Sequence, residues 1–402
     1  MEPRKRRVLV VIALAELLTM SLWFSASAVA PELAAEWRLT AAESAWLTIA
    51  VQLGFVVGAL VSSALTISDV IAPRYLFAGS AVAGAACTAV IAGAVEAAGP
   101  AIALRFLTGV ALAGVYPPGM KLLAGWFETA RGFAIGVLVG ALTVGSALPH
   151  LLRAVGGVGN PRVVLYGAAG LATVGGLLAL LIEPGPYQAP TAPFDPGAIV
   201  RMVRDHGTML ANGGYFGHMW ELYAVWTWIP AYLVASLAAG GGGESSGTAS
   251  LLAFAAIAIG GVGAVGAGVA ADRLGRTTVT SVSMSTSGVA CLAAGFLFGS
   301  SLEVLVPFVL IWGVAIVADS AQFSAAVSEL AEESYVGTAL TLQTAIGFLL
   351  TTISIQPVPV VVDAVGWRWA FAPLAVGPAI GILSMIRLRG LPAASKLAGG
   401  RK

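Results

Sequence analysis

Long apolar runs, each about one bilayer in length, alternate along the chain with short polar or basic stretches. A helix needs about 20 apolar residues to cross a hydrocarbon core about 30 Å thick. By that ruler the sequence predicts twelve spans, at 8–30, 44–66, 75–95, 100–122, 132–153, 162–182, 207–235, 247–271, 277–299, 304–327, 337–361 and 367–387. The runs are unbroken rather than alternating in segments of about ten residues, so a porin-like barrel does not fit. Helices follow because lipid offers no partner to an unpaired backbone group. Little chain remains for a soluble domain.

Composition agrees with the pattern. Of 402 residues 58% are hydrophobic and only 10% are charged, against about 25% charged in a soluble domain. So few charges cannot build a polar shell, which excludes a cytosolic enzyme or a disordered chain. A net charge of +1 excludes a diffuse surface for nucleic acid. The medium of this protein is the lipid bilayer.

The basic residues set an expected orientation. With the N-terminus inside, 16 of the 21 Lys and Arg fall on the cytoplasmic side. Arg38, Arg153, Arg162 and Arg368 lie opposite, and Arg105 lies within a span. This split obeys the positive-inside rule and places both termini in the cytoplasm of a multi-pass cell-membrane protein. Ala28-Val29-Ala30 imitates a signal-peptidase site, but the apolar stretch before it is too long and Pro31 follows it. Cys87 and Cys291 both fall inside spans and read as small buried hydrophobes rather than a disulfide.

The chain also repeats itself. Asp69 and Asp272 are 203 residues apart, Pro31 and Pro230 are 199 apart, and Gly132 and Gly337 are 205 apart. Six spans followed by six is the organisation of a duplicated transporter. The expected architecture is all-α, with twelve transmembrane helices in two pseudo-symmetric six-helix bundles. The expected domains are residues 1–183, a Pro-rich cytoplasmic linker at 184–206, and residues 207–402.

Three motifs carry a family resemblance. Gly268-Val-Ala-Ala-Asp272-Arg273-Leu-Gly275-Arg276 resembles the GxxxDRxGR signature of the major facilitator superfamily, between the eighth and ninth spans. Arg105-Phe-Leu-Thr-Gly109 resembles that family's span-4 arginine motif. Trp126-Phe127 with Arg131-Gly132-Phe-Ala-Ile-Gly136 is similar to its loop between spans 4 and 5. The first-half copy of the signature is degraded, with Leu65 and Val70 standing where Gly and Arg belong. The resemblance implies a cytoplasmic gate whose contacts form and break as that side closes and opens. Asp69, Arg74, Arg131, Asp272, Arg273 and Arg276 are its expected members, with the two later arginines pairing with acids across the seam between halves. The alternative for these residues is a topology anchor. The signature glycine is expected to let the eighth and ninth helices approach closely. Within the family the chain is loosely similar to the nitrate/nitrite and cyanate porter-like branch. It lacks the arginines that true nitrate porters carry in spans 2 and 8.

Charges within spans are costly and point to function. Four spans carry one: Glu16, Arg105, Glu221 and Asp319. In the seventh span, Tyr215, His218 and Glu221 share a helical face with Asn212 nearby. Burial and a neighbouring imidazolium act in opposition on the Glu221 carboxyl, which makes a proton relay near neutral pH. The alternative is a Glu–His pair that only ties helices together. Arg105 either anchors an anionic substrate or holds helices together. Glu16 lies about 10 Å from it in depth at 1.5 Å per residue, too far for a direct pair. Asp319 leans toward a structural role. Trp23, Tyr116 and Gln343 are further candidates to line a central, water-filled chamber.

Two functions follow as expectations. The first is a secondary transporter, symporter or antiporter, that moves a small organic or inorganic anion by proton-coupled alternating access. The second is proton-driven efflux of amphipathic drug-like compounds. Neither needs a cofactor, a metal or a catalytic residue. The expected partners are a small-molecule substrate, protons and lipid, with the chain acting as a monomer. A membrane-embedded enzyme and a channel are disfavoured for want of a catalytic cluster or a filter-like loop.

Overall fold

The computed structural model describes residues 2–65, 67–127, 131–187, 203–241, 246–331 and 336–401, with backbone alone at 68–69 and 131–132. Every regular element among the described residues is helical. Helix α1 is Pro3–Met20. Eleven further helices are long and apolar enough to cross a membrane. They are α2 (Ala41–Ala64), α3 (Pro73–Ala94), α4 (Ala98–Ala124), α5 (Phe133–Gly157), α6 (Pro161–Ala179), α7 (His206–Ala239), α8 (Ser246–Leu274), α9 (Arg276–Leu297), α10 (Leu302–Leu330), α11 (Val336–Val365) and α12 (Trp367–Arg389).

Their starts are written locally. Thr40 and Glu43 close a reciprocal capping box on α2. The Asp205 carboxylate accepts the Thr208 amide at 2.9 Å to cap α7. Proline opens α3 and α6 in the first turn, where its missing N–H costs nothing. Gly275 turns the chain between α8 and α9 at φ 92°, a conformation that favours glycine.

The first predicted span is where the structure departs most. It runs as α1, then an irregular turn at 21–24, then the short helices Ser25–Ala28 and Ala30–Trp37. No glycine or proline marks that turn. Side chains stabilise it instead: the Ser21 hydroxyl lies within hydrogen-bonding distance of the Leu18 and Ala168 carbonyls, and Arg105 takes the carbonyls of Leu22 and Trp23. Several other helices break near their middles. The break in α4 precedes Pro117 and Pro118, that in α11 precedes Pro357, that in α8 falls at Ile259, and that in α10 falls at Asp319.

The chain packs as two compact units, residues 1–191 with 245–258 and residues 192–244 with 259–402. In the first unit, α1 lies against α5 and α6, and α2 lies against α4. Gly54 of α2 and Gly109 of α4 sit so close to the opposite backbone that a Cβ at either would overlap a carbonyl oxygen, of Phe106 or of Val51. The segment Ser246–Ala258, expected in the second bundle, belongs to this unit. It packs on α5, and Arg153 reaches the Ser250 hydroxyl at 2.5 Å. The same guanidinium grips Glu32 at 2.7 Å, so a residue expected only as a loop charge is 4% exposed.

In the second unit, α7 lies along α12, α11 and the second half of α10. The glycine run in α8 does serve close packing, but toward α10: a Cβ at Gly260 or Gly263 would crowd the backbone at Gly313 or Val314. Gly268, expected to let α8 approach α9, meets nothing nearer than the Gln322 amide at 3.9 Å.

Candidate functional site

Buried ionisable side chains form separate groups in the two units. In the second, His218 and Glu221 sit one turn apart near the middle of α7, and both are fully buried. They do not rest on each other. Glu221 faces α9, where the Ser287 hydroxyl donates to its Oε1 at 2.6 Å and the Cys291 thiol approaches its Oε2 at 3.5 Å. His218 faces α10, with Nδ1 2.9 Å from Asp319 Oδ1, close enough for an ion pair but not aligned as a hydrogen bond. Asp319 is fully buried at the break near the middle of α10. Two carboxyls and one imidazole thus share one buried neighbourhood.

Aromatic rings close around the imidazole. Tyr215 and Phe323 lie with their centroids 6.1 and 5.8 Å from that of His218. Toward the start of α7, Gln343 donates to the Asn212 side-chain oxygen at 3.0 Å and accepts from Ser324 at 3.3 Å.

The first unit holds Arg105 and Glu16. Arg105 is fully buried and committed to the turn after α1 and to α2. Its Nε donates to the Leu47 carbonyl at 3.0 Å and Nη1 to the Leu22 carbonyl at 2.8 Å and the Ser25 hydroxyl at 3.2 Å. Its Nη2 donates to the Trp23 carbonyl. Trp23 itself packs on Phe55, with ring centroids 5.2 Å apart. Glu16 is fully buried on α1, and among the described residues neither of its oxygens has a hydrogen-bond partner. Its Oε2 lies 3.1 Å from where a Cβ on Gly119 would stand, and the Phe77 ring touches that same place. Glu16 and Arg105 do not pair.

The loop signature lies at one end of the second unit. Arg276 is its hub. Its guanidinium donates to both carboxylate oxygens of Glu329, at 2.8 and 2.5 Å, and to the Gln322 side chain at 2.7 Å. Its partners therefore belong to its own unit rather than lying across the seam between halves. Asp272 is largely exposed, 3.8 Å from Arg276, and Arg273 is exposed. The segment Pro392–Gly400 folds back onto this cluster. Leu397 is buried, the Ala398 amide donates to Glu329 at 3.0 Å, and Arg401 donates to the Asp272 carbonyl. In the first half, Arg74 stacks on its neighbour Tyr75. The side chains of Asp69 and Arg131 lie outside those described.

Several of these partners escaped the sequence. Ser287, Cys291 and Glu329 are commonplace where they stand, and only the meeting of α7, α9 and α10 gives them roles. Cys291, expected as a plain hydrophobe, is bonded to a carboxyl, and Cys87 is half-buried. One signal was available: Glu329 follows Gln322 by seven residues, on the same face of α10.

Comparison with known families places the chain. The family model described as Major Facilitator Superfamily matches residues 12–266, well over half of the chain. The chain belongs to the major facilitator superfamily, a family of membrane transporters rather than enzymes. It is therefore a multi-pass membrane transporter with a small-molecule substrate. No curated protein matches it.

Proposed function

We propose that this protein is a proton-coupled secondary transporter that moves a small solute by alternating access, with the proton handled by Glu221, His218 and Asp319. Two carboxyls and one titratable imidazole lie fully buried at the middle of two helices, and this observation carries the reading. Ionisable groups are expensive at that depth and persist where they serve a pathway. When the proton sits on the cluster, the attraction between His218 and Asp319 and the grip of Ser287 on Glu221 both change. Either change biases how α7 packs on α9 and α10. Alternating access needs such a local two-state contact.

On this reading α1 with its following turn supplies a twelfth crossing, the halves form six-helix bundles, and both termini are cytoplasmic. The Arg276–Glu329 cluster closes the cytoplasmic end. One carrier is complete as a monomer.

The anionic-solute reading rests on the charges of the fourth and seventh spans, and of these Arg105 has its donors taken by backbone carbonyls and Ser25. The efflux alternative gains from the aromatic surroundings of His218. The test is a proteoliposome assay with a trapped pH indicator, run over a panel of small solutes. A solute should drive saturable proton movement, and Glu221→Gln should abolish it. Proton movement unchanged in Glu221→Gln would end this account.

A further inference from the structure

We infer that the segment Pro392–Gly400, which follows α12, is an autoinhibitory strap that locks the loop signature at Arg276 and must lift for the transporter to cycle. The inference rests on the transporter reading above, in which the Arg276–Glu329 cluster closes the cytoplasmic end.

The segment is seated rather than trailing. Its 9 residues are too few to form a core of their own, yet Ala394 and Leu397 are fully buried. Its contacts fall on α8, α10 and α12. At the start of α7, Gly207 leaves room for it, since a Cβ there would stand 3.2 Å from the Ala393 methyl. One short segment thus touches four helices of the second unit.

Its polar contacts fall on the signature itself. The Ala398 amide donates at 3.0 Å to Glu329 Oε2, the oxygen that also takes Arg276 Nε at 2.8 Å. Arg401, just beyond, donates to the Asp272 carbonyl in the last turn of α8. The strap therefore joins α8 to α10 at the place where Arg276 joins them. A shift of one helix against the other that parts Arg276 from Glu329 also pulls on the strap.

The backbone makes this seat a conditional one. Ala398 stands at φ 47° and ψ 40°, and Gly399 and Gly400 follow at φ 66° and 95°. Glycine adopts such angles freely, but at Ala398 the β-carbon is crowded by the following carbonyl oxygen. An outlier of this kind persists only where its surroundings hold it, and such residues cluster at switch segments. Strain in the seated state brings the lifted state closer in free energy. A strap that opens and closes needs that narrow gap.

The experiment compares the full-length protein with Leu397→Asp, Arg401→Ala and Ala398→Gly, all in lipid vesicles. Leu397→Asp unseats the buried side chain, Arg401→Ala cuts the tie to α8, and Ala398→Gly relieves the strain and tightens the seat. Hydrogen–deuterium exchange is read at residues 272–280 and 393–401, and initial rates come from the pH-indicator assay described above. The two releasing variants should speed exchange at both places by about fivefold or more and raise the rate of solute-driven proton movement. Ala398→Gly should slow both. Exchange within α3, in the first unit, should not change, which separates a lifted strap from a loosened fold. Exchange at 272–280 that ignores Leu397→Asp and Arg401→Ala would overturn the inference. So would releasing variants that slow transport, because the segment would then be a support. If the unaltered protein moves no protons with any solute, the transporter reading falls, and the exchange result still decides whether the segment locks the signature.

Discussion

Arg105 shows how little a buried charge says about its role until its partners are known. Its motif and position fit an anion anchor, yet its donors close the irregular turn after α1. A guanidinium does this well because its fork reaches several acceptors at once, whereas an ammonium is a point donor. Arg105→Lys is therefore expected to leave at least one of those carbonyls unsatisfied and to cost about 1–3 kcal/mol. Denaturant titration in detergent measures this. Unchanged stability with lost solute binding would instead return Arg105 to the substrate site. Glu221 gives the complementary case: the sequence sets it beside His218 on one helix face, and the fold turns each toward a different neighbour.

At the scale of elements, helix pairing depends on small residues at particular crossings. The contact of α2 with α4 is the tightest example, since Gly54 and Gly109 let the two backbones touch. Gly109→Ala is expected to force the helices apart and to cost about 1–3 kcal/mol. Gly79→Ala on α3, where a Cβ meets nothing within 4 Å, is expected to be neutral or slightly stabilising, because alanine favours helix by up to about 1 kcal/mol. Paired thermal unfolding midpoints test this contrast, and equal effects would refute it. Breaks matter as much as contacts. Ile259 divides α8 so that its first part packs with α5 and its second with α10. The hydropathy of that run shows no interruption, which is why the sequence predicted one span in one bundle. The breaks in α4 and α11 had prolines beside them and were open to reading.

For the whole molecule, the two-unit division makes a thermodynamic statement. Arg105 and Glu329 lie in different units and share no hydrogen-bond partner among the described residues. The stability losses of Arg105→Lys and Glu329→Gln should therefore add within about 0.5 kcal/mol in the double variant, as independent sites do. A larger deviation, measured by the same titration, would show that the units do not respond separately. Glu329 is an informative partner because it holds Arg276 and the Ala398 amide together, so its loss loosens both the loop signature and the segment that folds over it.

Hydropathy is local and additive. For that reason the sequence alone established a multi-pass helical membrane protein, placed eleven crossings to within a few residues, and carried the motifs of its family. Partnership is neither local nor additive. Whether Glu221 meets His218 or Ser287 depends on which faces of helices 66 residues apart in the chain come together. Whether Arg153 is a loop charge or a buried clasp depends on Glu32, 121 residues away. Only the tertiary structure decided these matters. The energy that places a charge in a membrane comes from the group that answers it, and no pattern along the chain names that group.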